Sequence, residues 1–316
     1  MSNPIVFMYS GQGAQYFQMG KQLFETDQTF QNWFRRCDAI VSPLIGVSLV
    51  DLIYSEPTDK YAIFQRTLHT HPAIVSFSYS MTKCVIERGV LPDMLLGYSL
   101  GEYISSIIAG AMSLEDGLTM IVNQAKALEA KTEGAGMIAI LENPRIMKQR
   151  PELFSGTWLA GHNFANHFVV TGRRPALEKI DETLRNERIT TQILPISHGF
   201  HSPMVEPIEE DCRAIGNLNP LQTPVISALN TGPLQAINGD HIYNVIRNPV
   251  RFYETVQIME SKGSYNYIDL GPAGTLSTFV KYALDKNSKS QALPCVNQFG
   301  RDQVSMNNML KAIDHA

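Results

Sequence analysis

Residues 96–104 read LGYSLGEYI and place Ser99 at the centre of a G-x-S-x-G pattern. The preceding DMLL (93–96) is typical of a short buried strand, and the residues after Ser99 carry apolar side chains at helical spacing. On such a strand-to-helix turn the serine hydroxyl is exposed, and the flanking glycines leave room where a Cβ would clash. The stretch therefore predicts a nucleophilic serine, with the N–H of Leu100 and the helix N-terminus positioned to stabilise an oxyanion.

Strand-like and helical segments alternate on both sides of this elbow. PIVFMY (4–9) is typical of a buried strand, and helical periodicity marks residues 17–39, 58–87 and 114–131, with Ser113 as the N-cap of the last segment. The alternation returns near the C-terminus with a strand-like TPVISAL, a helix, a strand-like YNYIDLG and closing helices. This alternation predicts an α/β fold.

The middle of the chain has a different pattern. Four strand-like segments surround two helical ones in the order β-α-β-β-α-β, which is typical of a ferredoxin-like unit. We therefore predict a small inserted subdomain at residues 134–198, and a catalytic subdomain made of residues 1–133 and 199–316. The segments are strand-like at 136–141, 157–163, 168–172 and 190–196, and helical near 144–150 and 174–187.

Composition excludes several classes of protein. The 316 residues are 44% hydrophobic and 18% charged, which favours a folded core over disorder. A net charge of −4 gives no electrostatic basis for binding nucleic acid. No run approaches a membrane span and the N-terminus lacks the features of a signal peptide, so we expect a cytoplasmic protein. The four cysteines are far apart in sequence, and we expect them to be reduced and mostly buried: Cys37, Cys84, Cys212 and Cys295.

A nucleophilic serine needs a base, and histidine is the usual one. PISHGFHSPM (195–204) places His198 and His201 where the chain leaves the inserted subdomain, and we predict His201 as the base, with a structural role open for either residue. The other histidines include His162, His167 and His241, which lie in polar surroundings typical of surface loops. None of the acidic residues between Ser99 and His201 lies at an obvious strand end, so a backbone carbonyl is an alternative partner for the imidazole.

These motifs resemble the malonyl-CoA:acyl-carrier-protein transacylase family, which includes the acyltransferases of polyketide synthases. The resemblance covers essentially the whole chain. It extends from the N-terminal G-Q-G-[SA]-Q loop and the G-H-S-L-G-E-[YF] elbow to an asparagine stretch, a malonyl-type H-A-F-H segment and two C-terminal motifs. The matching stretches here are SGQGAQYFQMG, GYSLGEY, HNFANHFVVTG, HGFHSPMVEP, NPVRF and IDLGP.

The resemblance implies an α/β-hydrolase-like large subdomain with an inserted ferredoxin-like small subdomain. It implies that Ser99 is the nucleophile and His201 the general base, with the N–H groups of Gln12 and Leu100 forming the oxyanion hole. A main-chain carbonyl around Val250 and Arg251 would hold the imidazole. Tyr98 replaces the usual histidine of the elbow. We expect it to line the substrate cleft together with His71, Asn163 and Phe200.

One departure from the family changes the expected substrate. In the transacylases an arginine 25 residues after the nucleophile pairs with the carboxylate of malonate, and the same count from Ser99 reaches Gln124. Lys126 faces away from this position on the helix, and Lys131 is about 10 Å further along the axis. Loss of one partner of a buried charge pair costs about 3–5 kcal/mol, so malonyl should be a poor substrate.

With glutamine at this position, the sequence resembles the discrete acyl hydrolases that accompany polyketide synthases lacking built-in acyltransferases. The resemblance implies removal of uncharged acyl groups from the phosphopantetheine of an acyl carrier protein, with no bound metal or nucleotide cofactor. The alternatives are a transacylase that moves malonyl or another acyl group between coenzyme A and carrier protein, and a non-catalytic member that only docks the carrier protein. We expect no nucleic-acid or membrane partner; the oligomeric state is open, and a monomer is compatible with the sequence.

Overall fold

The computed structural model describes residues 3–55, 62–216 and 218–314. Numbered along the chain, its strands are β1 (Ile5–Tyr9), β2 (Met94–Gly97), β3 (Gly136–Ile140), β4 (Thr157–Phe164), β5 (His167–Gly172), β6 (Thr191–Ile193), β7 (Val225–Ser227), β8 (Gly232–Pro233), β9 (Asn266–Asp269) and β10 (Gln291–Pro294). Its helices are α1 (Lys21–Thr26), α2 (Gln28–Ile45), α3 (Leu49–Tyr54), α4 (Thr67–Glu87), α5 (Leu100–Ile108), α6 (Leu114–Lys131), α7 (Arg145–Gln149), α8 (Arg174–Asn186), α9 (Glu209–Arg213), α10 (Gly239–Arg247), α11 (Phe252–Glu260), α12 (Thr275–Ala283) and α13 (Asp302–Asp314), with a 3₁₀ helix at Pro203–Ile208.

The large sheet has six strands in the order β10-β9-β1-β2-β7-β8. All neighbouring pairs are parallel except β7 and β8. Its inner strands are apolar on both faces because helices cover both faces, as the buried IVFMY of β1 illustrates. The elbow serine follows β2, next to the centre of the sheet, so that it lies at the carboxyl end of the parallel strands, where α/β sheets bind ligands.

The second sheet contains the four strands β4-β5-β3-β6, all paired antiparallel. With α7 and α8 they follow the β-α-β-β-α-β order, and the fold class expected from the sequence is confirmed: an α/β-hydrolase-like part with a ferredoxin-like part inserted in it. An isolated parallel β-bridge between Gly161 and Val250 joins this sheet to the rest of the chain. The boundaries at residues 134 and 198 remain a prediction.

The predicted helices differ from the observed ones mainly near the N-terminus. The segment predicted as one helix at residues 17–39 is two, because the chain is extended at Asp27, whose side chain accepts from the N–H of Phe30 and begins α2. The segment predicted at 58–87 is described as a helix from Thr67 onward, and residues 56–61 lie outside the described residues. Ser113 is the N-cap of α6, as predicted.

Two glycines allow the elbow helix α5 to lie against the sheet. A Cβ on Gly101 would collide with the carbonyl group of Tyr9 on β1, and a Cβ on Gly97 would collide with the backbone of Glu102. Between them Ser99 has φ 54° and ψ −117°, a backbone conformation that costs a residue with a side chain about 1–3 kcal/mol. The packing of α5 on β1 and β2 therefore holds the serine in a strained conformation.

We expect Gly101→Ala to lower the free energy of unfolding by about 3 kcal/mol, because the added methyl group meets backbone atoms that cannot move aside independently. Denaturant unfolding followed by circular dichroism measures the loss. Gly134→Ala is the matched control, since its Cβ would meet no atom within 4 Å, and should change stability by less than about 1 kcal/mol. Equal effects from the two substitutions would contradict the packing described for α5.

Candidate active site

Ser99 and His201 form a hydrogen-bonded pair at the elbow. The Oγ atom of Ser99 lies 2.9 Å from Nε2 of His201, and Nδ1 of the same imidazole lies 2.8 Å from the carbonyl oxygen of Asn248. A carbonyl oxygen only accepts hydrogen bonds, so Nδ1 carries the proton and Nε2 presents its lone pair to the serine. This is the arrangement that a general base needs.

The carbonyl that orients His201 differs from the one expected. The sequence pointed to Val250 and Arg251, but both of their carbonyl groups accept other hydrogen bonds, from the N–H of His162 and from Thr255 respectively. Asn248, where α10 ends in extended backbone, has the carbonyl that faces the imidazole instead. A backbone carbonyl does face the imidazole, but it belongs to Asn248, two residues before Val250 and three before Arg251.

The imidazole of His201 is kept neutral by its surroundings. Burial lowers the pKa of His201 to about 4, although hydrogen bonds to the backbone at Asn248 and Val245 act in the opposite direction. His201 is only 5% exposed. The N–H of His201 donates to the carbonyl of Ile246, which fixes the loop that carries the imidazole. At neutral pH the base is thus unprotonated and ready to accept the serine proton.

The two backbone N–H groups predicted for the oxyanion hole lie next to Ser99. Leu100 begins α5 directly after the serine, and Gln12 follows Gly11, where a Cβ would lie 2.8 Å from the carbonyl oxygen of Tyr98. In the part of the chain that the structure describes, neither the N–H of Gln12 nor that of Leu100 donates to a protein acceptor. Both are available to a developing negative charge.

The side chain of Gln12 is held away from that role by its neighbours. Its Nε2 donates to the hydroxyl of Thr70 at 3.0 Å, and its Oε1 lies 3.1 Å from Nε2 of His71. Burial lowers the pKa of His71 to about 3, with a smaller contribution from His198, so the ring is neutral. The expected proximity of His71 to the cleft is thus observed: it fixes the loop that contains Gln12.

Gln124 is a buried residue of the pocket lining. The side chain is 5% exposed, and its Nε2 donates to the hydroxyl of Tyr103 at 3.2 Å and approaches Sγ of Cys212 at 3.5 Å. Its Oε1 is buried and has no hydrogen-bond partner. The position that would hold an arginine in a malonyl-specific relative is occupied here by a neutral amide with an unpaired acceptor.

Among the residues that the structure describes, the lining of the pocket carries no positive charge beside Gln124. None of the described residues that line the pocket is lysine or arginine, and the lining is mostly apolar. Lys126 is exposed on α6, as its spacing predicted, and Lys131 is paired with Asp211 at 2.7 Å. The lining residues are Gln12, His71, Tyr98, Ser99, Leu100, Tyr103, Gln124, Met137, Val169, Leu194, Ile196, Phe200, His201 and Ile246.

Tyr98, the elbow residue that departs from the family pattern, begins a polar chain toward the inserted sheet. Its hydroxyl donates to Oδ1 of Asn163 at 2.8 Å, and Nδ2 of Asn163 lies 2.9 Å from Nδ1 of His167. A Cβ on Gly161 would lie 2.5 Å from the Tyr98 hydroxyl, so the glycine makes room for it. Tyr98 and Asn163 thus connect the elbow to β4 and β5.

Phe200 and His198, which precede His201 by one and three residues, pack their rings together. Phe200 lines the pocket, and its ring is 5.6 Å from that of His71 and 5.8 Å from that of His198. His198 Nδ1 forms a hydrogen bond with the hydroxyl of Thr132 at 2.9 Å. The structural role that was left open for His198 is therefore the one its contacts support.

Three histidines that looked like surface residues are integrated into the fold. His241 is buried on α10, with Nε2 3.0 Å from the carboxylate of Glu102, which also accepts from Ser227. His162 lies 2.9 Å from Glu254, and burial lowers the pKa of His167 to about 4. The sequence did not reveal the contacts of His162 and His241 because their partners, Glu254 and Glu102, are distant along the chain.

In the part of the chain that the structure describes, the metal-binding residue types, the cysteines and the lengths of the helices point to no further role. In residues 3–55, 62–216 and 218–314 no group of three or more His, Cys, Asp and Glu side chains is placed to hold a metal ion. The four cysteines are free and buried, as predicted. Within the same residues, every helix is too short or too polar to cross a bilayer.

The sequence matches the Acyl transferase domain family over residues 6–316, and the chain belongs to that family. Two similar proteins cover nearly the whole chain. It is 34% identical over 313 residues to the polyketide biosynthesis acyltransferase homolog PksD of Bacillus subtilis, covering 98% of this chain and 96% of PksD. It is also 34% identical to the homolog BaeD of Bacillus velezensis, with 99% and 98% covered.

Solved structures of the same family have the same fold. The acyltransferase domain from the second module of the salinomycin polyketide synthase superposes with a TM-score of 0.84 at 26% identity, covering 98% of this chain and 73% of that one. MCAT from Streptococcus pneumoniae superposes with a TM-score of 0.78 at 25% identity, covering 98% and 99%. The two-part architecture described above is therefore that of polyketide synthase acyltransferase domains and MCAT.

The buried, neutral His201 predicts the pH dependence of the reaction. Because His201 must be unprotonated to act as a base and its pKa is about 4, kcat/KM should stay nearly constant from pH 8 down to about 5 and fall tenfold per unit below about 4. A pH–rate profile with a thioester substrate measures this, with circular dichroism at each pH to separate loss of folding. An acid limb near the ordinary histidine value of about 6.5 in folded enzyme would contradict the burial argument.

Proposed function

We propose that this chain is an acyl hydrolase that removes uncharged acyl groups, such as acetyl, from the phosphopantetheine thioesters of acyl carrier proteins in polyketide biosynthesis. The observation that carries the proposal is the buried amide of Gln124 at the position of the family's carboxylate-binding arginine. Family membership supplies the acyl chemistry, and Gln124 narrows the class of acyl group.

A carboxylate at the end of the acyl chain is unfavourable in this pocket. The Nε2 of Gln124 is engaged by Tyr103, so a carboxylate would face the unpaired Oε1, a second acceptor. A buried charge without a partner costs several kcal/mol, and none of the lining residues that the structure describes is a lysine or arginine that could offset that cost. An uncharged chain meets mostly apolar walls and incurs no such cost.

The geometry of Ser99 and His201 fits a two-step mechanism. Ser99 Oγ attacks the thioester carbonyl carbon while its proton passes to Nε2 of His201, and the oxyanion is held by the N–H groups of Gln12 and Leu100. The C–S bond then breaks, and the imidazolium gives its proton to the departing thiolate. In the second step His201 takes a proton from water as the water attacks the acyl-serine; the ester C–O bond breaks, and the proton returns to Ser99 Oγ.

The proposed partner and pathway rest on the relatives. PksD and BaeD are named as homologs of polyketide biosynthesis acyltransferases, and each is covered almost completely by this chain. The discrete acyl hydrolases that this sequence resembles act on carrier proteins in trans, and we extend that role to this chain. The substrate would bring its own phosphopantetheine arm, and the mechanism uses no bound cofactor.

The second candidate is transfer of an acyl group to a thiol. It is favoured by the family itself, whose solved members include MCAT, and Gln124 does not choose between water and a thiol as the acceptor. In this alternative the same acyl-Ser99 forms, and the thiol of a carrier protein or of coenzyme A replaces water. The two candidates therefore share the site and differ only in the second step.

Substrate assays separate these functions. Acetyl-carrier protein and malonyl-carrier protein are incubated with the enzyme, with and without coenzyme A, and the acyl state is followed by intact mass. We expect loss of acetyl without coenzyme A, no loss with Ser99→Ala, and malonyl hydrolysis slower by at least about 100-fold. Rapid loading of malonyl from coenzyme A onto carrier protein would overturn the proposal.

Restoring the arginine should restore affinity for a carboxylate. We expect Gln124→Arg to raise the malonyl occupancy of Ser99 by about tenfold or more, because a guanidinium group offers a charged bidentate partner. Intact mass after brief exposure to malonyl-CoA measures the occupancy. Gln124→Met is the control that removes the amide without adding charge, and an equal rise in both variants, or none in Gln124→Arg, would contradict the role given to position 124.

A further inference from the structure

The amide of Gln124 has one orientation that satisfies its neighbours. The hydroxyl of Tyr103 donates its single hydrogen to the carbonyl oxygen of Ile242 at 2.9 Å, so it can only accept from Gln124. The group that faces Tyr103 must therefore be the NH₂ of the amide, as observed at 3.2 Å. The flipped amide would place two acceptors together, so the free end of Gln124 is its oxygen.

A second residue of the pocket also has an unpaired acceptor. Nε2 of His71 faces the amide oxygen of Gln12, which only accepts, so Nε2 carries the proton and Nδ1 of the neutral ring is bare. Nδ1 is buried and has no partner. Gln124 and His71 are 5% and 3% exposed, and both line the pocket that contains Ser99. Two buried acceptors in one site without donors need an explanation.

The protein does not provide the missing donor for Gln124. Within the described chain the remaining wall of the pocket is largely aliphatic, as at Met137, Leu194 and Ile246, and the Tyr98 hydroxyl donates to Asn163. An acceptor left unpaired in such a place is unfavourable, whereas a ligand that brings an O–H group relieves it. The donor must be uncharged, since the walls offer no counter-ion.

Gln124 and Ser99 line the same pocket, and Tyr103, which contacts Gln124, lies about one helical turn after Ser99. An acyl chain on Ser99 therefore enters the pocket that the amide lines. Carrier-bound chains that grow by two-carbon condensation bear their first oxygen substituent on C3, and reduction converts it from a ketone into a hydroxyl group. Of these two, only the hydroxyl is a donor.

We infer that the preferred acyl group is a hydroxyacyl chain whose C3 hydroxyl donates a hydrogen bond to Oε1 of Gln124. This inference rests on the proposed function and adds the class of acyl group to it. The same contact discriminates against the 3-oxo chain, which presents another acceptor, and against the saturated chain, which leaves Oε1 unpaired. A buried polar group that the wrong substrate leaves unpaired discriminates against that substrate.

The test compares acyl groups that differ only in the donor. The kcat/KM for release from carrier protein is measured for butyryl, 3-methoxybutyryl, 3-oxobutyryl and the two enantiomers of 3-hydroxybutyryl. We expect one 3-hydroxybutyryl enantiomer to exceed butyryl by about 3- to 10-fold, the effect of one neutral hydrogen bond. The methoxy and oxo groups should lose this advantage, and butyryl equal to or better than both hydroxy enantiomers would overturn the inference.

Variants assign the effect to Gln124. In Gln124→Met the ratio of 3-hydroxybutyryl to butyryl should fall to about 1, whereas in Leu194→Met, which changes a wall of the same pocket without altering donors or acceptors, it should stay at the parent value. The ratio within each variant is insensitive to general loss of activity. A preference that survives in Gln124→Met would overturn the contact.

A failure of the proposed function gives a different result. If the enzyme releases no acid and only passes acyl groups to a thiol, the acylation rate of Ser99 by each acyl-carrier protein is measured instead by intact mass in a single turnover. The same ratio of 3-hydroxybutyryl to butyryl then decides the inference, because both reactions form acyl-Ser99 in the same pocket.

Discussion

The site depends on the positioning of one hydrogen bond, between Ser99 Oγ and Nε2 of His201. Both residues have positive φ values, 54° for Ser99 and 62° for His201, which residues with side chains adopt only when the surrounding structure imposes them. The packing of α5 on β1 imposes the first, through two glycines that allow contact between backbones. The end of α10 imposes the second, because His201 bonds through its N–H to Ile246 and through Nδ1 to Asn248.

The same framework determines what the serine can accept. The walls of the pocket come from the small sheet, as at Met137 and Val169, and from helices and loops around Ser99, and among the described residues they carry no lysine or arginine. The proposed preference for uncharged acyl groups therefore rests on neutral contacts. Gln124 and His71 add buried acceptors to this lining. A chain with nucleophile, base and oxyanion donors like those of a transacylase can thus differ in substrate through two side chains that do not touch the reacting atoms.

Much of the fold was predictable because it depends on local patterns. The buried strands are short apolar runs, and the order of strands and helices at residues 136–193 identified the ferredoxin-like part. The break at Asp27 was missed, since an aspartate that caps α2 has the same appearance in sequence as a polar residue within a helix. Ser99 and His201 could be named from the sequence because the motifs that contain them have a serine and a histidine at fixed positions.

The rest of the site depends on contacts that sequence does not encode locally. A backbone carbonyl has no residue-specific signal, so the partner of His201 was placed at Val250 and Arg251 rather than Asn248. The buried pair of His241 and Glu102 joins residues that are 139 apart. The free oxygen of Gln124 follows only from the hydrogen bond that Tyr103 makes with Ile242, which requires the fold.

The most direct test of the central claim is the fate of acetyl-Ser99 in a single turnover. Enzyme in excess is mixed with acetyl-carrier protein in water enriched in ¹⁸O, with and without coenzyme A, and acetyl-enzyme and acetate are followed by mass spectrometry. If water is the acceptor, acetate with one ¹⁸O appears at the same rate whether or not coenzyme A is present. Acetyl-Ser99 that persists until a thiol is added, and then yields acetyl-CoA without labelled acetate, would contradict hydrolysis and establish a transferase.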